Sequence, residues 1–229
     1  ALGPSRKGSP CIQTIKAGDS VTLMDVDGPG VIRHIWMTVT DRTSPAGPNV
    51  LRNLILEFYW DGEETPSVQC PIGDFFCCGH AQACRINSIP IMVVPNRGFN
   101  CYFAMPFEHA RIVLRNDHNE DVPAFFYQID YTEYDALPAD AMRFHAQWRR
   151  ERVTEIARDY TILDNVHGHG PHWKAAGGAK AKSKCTSTAM NSTRRGAAPE
   201  RRTTSAARGV SPTSTSMAAC ARTRSPDRT

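Results

Sequence analysis

Several features are missing from this 229-residue sequence. No apolar run approaches the ~20 residues of a membrane-spanning helix, which excludes a helical span. No charged-then-apolar leader pattern opens the chain, and no internal repeat recurs along it. The first residue is Ala and the first strand begins abruptly, so an incomplete N-terminus is expected. Regular cysteine spacing is also missing. Cys11, Cys70, Cys77, Cys78, Cys84 and Cys101 follow no disulfide pattern, and a chain of this size needs no staples. Reduced, core-type cysteines in a cytoplasmic protein are expected. Acidic residues are scarce at one end only. Residues 1–170 carry 15 Lys+Arg and 21 Asp+Glu, a net of −6, whereas 171–229 carry 12 and 2, a net of +10. The overall +4 therefore hides an acidic body and a basic tail.

What is present reads as β structure. Ser20–Val26 alternates, Asp27-Gly28-Pro29-Gly30 is a strong turn signal, and Val31–Thr40 alternates again. In that second run Ile32, His34, Trp36 and Thr38 share one face. Ser44–Asn49 is a Pro/Gly loop. Leu51–Trp60 places Leu54, Leu56, Phe58 and Trp60 on one side, with Ile55, Glu57 and Tyr59 on the other. Asp61–Phe76 follows, with a turn at Asp61-Gly62 and a close at Gly73-Asp74-Phe75-Phe76. Ile86–Val94, Phe99–Met105, Arg111–Arg115 and Ala124–Tyr134 are short, β-branched or aromatic, and bounded by turn residues. Strands in such close succession predict an all-β sandwich. Leu137–Arg150 differs. Pro138 suits a helix start, and Ala139, Ala141, Met142, His145 and Trp148 fall near helical spacing, so one helix is expected near 138–150. Tyr160–Leu163 returns to strand, and His167-Gly168-His169-Gly170 is a turn. From Pro171 onward Ala, Ser, Thr, Arg and Gly dominate, which predicts a disordered basic tail over 171–229 or a nucleic-acid arm. The tail lacks interleaved aromatics and any nucleic-acid module pattern, so nucleic acid is not the expected partner.

Four constellations carry possible chemistry. Glu63 and Glu64 invite a glycosidase reading, because sugar hydrolysis uses two carboxylates. Adjacent residues of an extended segment point to opposite sides, however, which favours a solvated turn. Asp74, held between Gly73 and Phe75-Phe76, either hydrogen-bonds a substrate hydroxyl or caps its own loop. Cys77-Cys78-x-His80-x3-Cys84 has metal-capable ligands at irregular spacing, and His167 and His169 form a turn pair; neither predicts a metal site.

Long strings extend the reading. GPGVIRHIWMT at 28–38, DGEETPSVQCPIGDFF at 61–76, INS at 86–88 and GFNCYFAMPFEHARI at 98–112 run in order. YQIDY at 127–131, FHAQWRRE at 144–151 and DYTIL at 159–163 continue them. In these residues the chain resembles glycoside hydrolase family 172. The resemblance implies a double jelly-roll protomer, with residues 1–136 as the first jelly roll and 137–170 as a helix and the start of the second. It implies trimers or hexamers that act, without a cofactor, on furanoside-containing oligosaccharides, and retaining cleavage or transfer of α-fructofuranosyl or arabinofuranosyl groups. It also makes Asp74, Phe75, Phe76, Glu63, Glu64, His80 and Trp36 the candidate substrate-binding residues. Retention needs a nucleophile and an acid/base carboxylate ~5–5.5 Å apart. The resemblance places these two glutamates in WWGEGE-type and GTEDYF-type motifs after DYTIL, and neither motif is present.

Reading the tail one frame over supplies a reason. Each shifted codon takes the last base of one observed codon and the first two of the next. Pro171–Ala176 can then encode PLEGRW, Ala176–Glu200 WWGEGEIKVYLDGDE and onward, and Pro199–Ser211 GTEDYFGGAWGF. Residues from about Pro171 are accordingly expected to be a frameshift product. The expected glutamate codons straddle Ala179/Lys180 and Arg201/Arg202, and neither lysine nor arginine can act as a nucleophilic carboxylate. The expectation is a glycoside hydrolase scaffold without its catalytic pair. The alternative is a non-catalytic carbohydrate-binding or structural jelly roll with a basic tail.

Overall fold

The computed structural model describes residues 11–39, 50–94, 98–153, 160–167, 172–177, 181–186 and 214–222. The Ser44–Asn49 loop and His169 lie outside them. The elements are β1 (Cys11–Ile15), β2 (Ser20–Thr38), α1 (Val50–Asn53), β3 (Leu54–Trp60), β4 (Val68–Pro71), α2 (Ile72–Phe75), β5 (Ile86–Asn87), β6 (Ile91–Val94) and β7 (Gly98–Cys101). They continue with β8 (Met105–Asn116), β9 (Val122–Glu133), β10 (Arg143–Glu151), β11 (Tyr160–His167), β12 (His172–Gly177), β13 (Ala181–Thr186) and β14 (Ser214–Arg222). The described chain is all-β with two single-turn helices. Among the described residues no helix is long and apolar enough to cross a membrane.

The long strand β2 organises the sheet. Its first half pairs with β8, while its second half pairs with β9 on one side and β7 on the other. One strand thereby joins neighbours in two directions, and the sheet curls. β8 also pairs with β3, β3 with β4, and β4 with β10. The enclosed core holds Ile32, Ile35, Met37, Leu54, Phe58 and Phe107, among others. The alternation expected of β3 is present: Leu54, Leu56, Phe58 and Trp60 all face the core.

Three expectations are corrected. The Asp27–Gly30 turn signal does not reverse the chain. β8 runs straight past it, pairing Asp27 with His109 and Gly30 with Phe107, so the extra residue is absorbed as a bulge. A Cβ on Gly30 would sit 2.5 Å from the Phe107 ring, which explains the glycine. A second irregularity between Ile32 and His34 shifts the face, so Ile32 joins the core while His34, Trp36 and Thr38 stay half-buried.

The helix expected near 138–150 is strand β10 over Arg143–Glu151. Pro138 makes a turn, its carbonyl accepting from the Ala141 amide at 2.9 Å. Phe144 and Ala146 are buried at period two, with half-buried Trp148 next in the same alternation. The edge of β4 supplies a partner that local propensity cannot reveal, as the Ala146 amide donates to the Ser67 carbonyl at 3.1 Å. Within the tail expected to be disordered, β12, β13 and β14 are strands. β14 pairs with β10 along Arg143–Glu151. Backbone pairing needs no apolar pattern, so composition did not signal these strands.

Candidate functional site

The Asp61–Phe76 segment begins with a left-handed turn, with φ of 55° at Asp61 and 78° at Gly62. The Asp61 carboxylate accepts from the Glu108 and His109 amides at 2.8 and 3.1 Å and from Arg143 Nε at 2.6 Å. This acid is a structural pin joining β3, β8 and β10. Glu63 accepts from the Ser67 hydroxyl at 3.1 Å, and Glu64 is exposed. The two glutamates differ in exposure, as extended geometry requires, and Glu63 is engaged in its own loop.

The segment ends in α2, where the chain buries an acid. Asp74 is 2% exposed. α2 lies tight against α1 because Gly73 has no side chain: a Cβ there would meet the Leu51 carbonyl oxygen at 2.9 Å. That approach brings Arg52 of α1 to Asp74, with Nε 3.3 Å from Oδ2. The Arg52 guanidinium also donates from Nη2 to the Gly79 carbonyl at 2.7 Å and lies 5.2 Å from the Trp148 ring centroid. Arg52, Asp74 and Trp148 thus converge from α1, α2 and β10.

Hydrogen bonding leaves this cluster incomplete. Both Asp74 carboxylate oxygens, Arg52 Nε and Nη1, and Trp148 Nε1 are buried without a hydrogen-bond partner. The Asp74–Arg52 contact is an ion pair outside hydrogen-bond geometry. Burial raises the Asp74 pKa to about 6, against the favourable charges of Arg52 and Arg150 and the nearby Trp148 indole. Burial likewise lowers the Arg52 pKa, with Asp74 opposing. Buried polar atoms are normally paired, so this cluster has unused capacity for a polar ligand or water.

The other expected residues disperse. Phe75 and Phe76 are 1% and 0% exposed. Their rings meet edge to face at 5.0 Å, Phe75 packs on Phe58, and Phe76 packs on Phe99. They are core residues that hold α2 in place rather than an open wall. His80 is exposed on the turn after α2. Trp36 lies on β2 between register partners Asn100 and Gln128, whereas the neighbours of Asp74 come from α1 and β10.

Two polar clusters were not anticipated. His34 meets Asp130 Oδ2 through Nδ1 and Asn100 Oδ1 through Nε2, both at 3.1 Å, and stacks on Tyr102 at 4.6 Å. The Asp130 pKa is lowered, first by the Gln128 amide and then by His34. Glu57 is buried on the outer side of β3, accepting from Tyr59, Gln69 and Arg115. Alternation had placed Glu57 and Tyr59 on one face, but Gln69 and Arg115 reach Glu57 from β4 and β8. Among the described residues no group of three or more His, Cys, Asp or Glu side chains could hold a metal ion. Burial pushes the Cys70, Cys77, Cys78 and Cys101 thiols up, which disfavours their thiolates.

A family model described as GH172 domain-like matches residues 9–128, just over half of the chain. The chain belongs to the GH172 domain-like family. This relates it to glycoside hydrolases. The match covers Arg52 and Asp74 and ends inside β9, so Trp148 and Arg143 reach the site from beyond the GH172 domain-like region. A comparison with curated proteins found no match.

Proposed function

We propose that this chain is a furanosidase-type glycoside hydrolase scaffold that binds a furanosyl group at the Arg52–Asp74–Trp148 cluster but does not cleave it. The observation that carries this reading is the buried Asp74 carboxylate, which Arg52 meets as an ion pair at 3.3 Å while neither oxygen receives a well-formed hydrogen bond. A sugar hydroxyl donates one hydrogen bond and accepts others. Asp74 offers the acceptors, Arg52 Nε and Nη1 and Trp148 Nε1 offer the donors, and the Trp148 ring offers an apolar face. Trp148 is half-buried, with its ring 5.2 Å from the Arg52 guanidinium.

The proposed lack of turnover is supported by the absence from the sequence of the two motif glutamates that the resemblance implies. Retaining hydrolysis needs two carboxyl groups ~5–5.5 Å apart. Asp61, Glu57 and Glu63 are committed to neighbouring donors, and Asp74 faces a guanidinium. The WWGEGE-type and GTEDYF-type motifs that would supply the pair do not occur in the chain. Family-type trimers would bring only copies of the same incomplete set.

An aryl α-furanoside assay and a binding titration test the two halves. The expected outcome is no sugar release, with binding of a fructofuranosyl oligosaccharide read from tryptophan fluorescence. Asp74→Asn should weaken that binding on the order of tenfold, as expected for loss of a hydrogen bond to a charged group. Measurable turnover would place a catalytic pair elsewhere. Unchanged affinity in Asp74→Asn would make the Arg52–Asp74 pair a structural weld between α1 and α2.

A further inference from the structure

The segment after α2 holds two thiols in contact. Cys84 Sγ lies 3.8 Å from Cys78 Sγ, and the Cys78 thiol also faces the Cys84 carbonyl at 4.0 Å. Cys84 is exposed and Cys78 is buried. We infer that Cys78 and Cys84 form a reversible disulfide by exchange with small-molecule disulfides, a covalent latch on the loop beside α2.

The loop presents the pair preformed. The Cys77 amide donates to the Asp74 carbonyl at 2.9 Å, the Cys78 amide to the Gly73 carbonyl at 2.7 Å, and the Ala81 amide to the Cys78 carbonyl at 3.0 Å. Cys77 and Ala81 are held at φ of 66° and 57°. A disulfide needs its sulfurs ~2.05 Å apart. Closing the 3.8 Å gap to that length calls for movement of Cys84, the exposed member of the pair.

The exchange balances without a further redox partner. The Cys84 thiolate attacks one sulfur of RSSR, forms a mixed disulfide and releases RS⁻. The Cys78 thiolate then attacks the Cys84 sulfur and displaces the second RS⁻. The two thiol protons end on two RSH, so two protein thiols are oxidised and one RSSR is reduced. Exposure sets the order of events: Cys84 is exposed and meets the disulfide first, and buried Cys78, in contact with it, resolves the mixed disulfide. The latch restrains the loop whose Gly79 carbonyl holds Arg52. It therefore acts on the cluster proposed for sugar binding, although its chemistry does not depend on that reading.

The test exposes the full-length protein to oxidised glutathione, traps remaining thiols with an alkylating agent, and maps disulfides by mass spectrometry. The expected product has lost two hydrogens, with a Cys78–Cys84 bridge in the peptide ending at Arg85 and at least tenfold less glutathione adduct than bridge. Cys78→Ser should leave Cys84 as the glutathione adduct, and Cys84→Ser should give neither product. A Cys77–Cys84 bridge, a persistent adduct on Cys84 in the unsubstituted protein, or no mass change would each overturn the inference. The unsubstituted protein decides this even if a variant fails to fold.

Discussion

Asp74 titrates in the opposite direction from a carboxylate held by salt bridges. Its folded pKa is about 6, raised by burial above the ordinary 3.8. The native chain therefore holds the Asp74 proton more tightly than the unfolded chain. The stability contributed by that proton is fully present below the unfolded value and is lost as pH rises through about 6. The expected loss is on the order of 2–3 kcal/mol between pH ~4 and ~7. Urea unfolding of the wild type and Asp74→Asn across that range measures it. The variant should lack this fall, and parallel profiles for the two proteins would refute the assignment. Asp74 was legible in the sequence as an acid between a glycine and two phenylalanines. Its burial was not, because Arg52 and Trp148 reach it from elements distant along the chain. Asn116 was not legible either. Its Nδ2 lies 3.1 Å from the Ile15, Lys16 and Glu120 carbonyls, tying together chain segments that no local pattern connects.

At the scale of elements, β3 and β10 show when periodicity suffices. β3 is surrounded by strands that keep its alternation intact, and its apolar side was readable directly. β10 carries the same period-two signal in Phe144, Ala146 and Trp148, but the preceding Pro138 and alanines compete with a helical reading. Tertiary pairing with the exposed edge of β4 decides between them. The strand assignment has a direct consequence. Ala146→Glu places a charge in the core and should cost more than about 2 kcal/mol, whereas Gln147→Glu on the exposed side should stay within about 0.5 kcal/mol. Denaturant midpoints of the two variants check this. Equal effects would contradict the strand, because successive strand residues face opposite sides.

Across the whole molecule, residues beyond 136 complete the first part of the sheet. β10 covers the β4 edge, the Trp60 indole donates to the Phe144 carbonyl at 2.7 Å, and the Phe144 ring packs on Phe75 and Phe103. Removing residues 137–229 would leave β4 paired with β3 alone, its other edge unpaired, and would open the core at Phe75. Unpaired edges with an adjacent apolar face associate. The chain ending at residue 136 should therefore form large particles by light scattering under conditions where the full chain does not. A monodisperse, cooperatively unfolding fragment would show that residues 1–136 are self-sufficient.

The sequence by itself determined the all-β class, the core face of β3, the turn at Asp61-Gly62 and the family strings, because each is written in contiguous residues. It also carried the split between an acidic body and a basic tail, which is a matter of counting. Tertiary structure alone decided that the Asp27–Gly30 signal is a bulge, that β10 is a strand, and that Phe75 and Phe76 are core. It also decided that Asp74 lies buried against Arg52 and Trp148. Each of these outcomes depends on a partner far along the chain: β8 for the bulge, β4 for the strand, α1 and β10 for the acid. Local pattern sets what a segment can present, whereas burial and pairing depend on what packs against it.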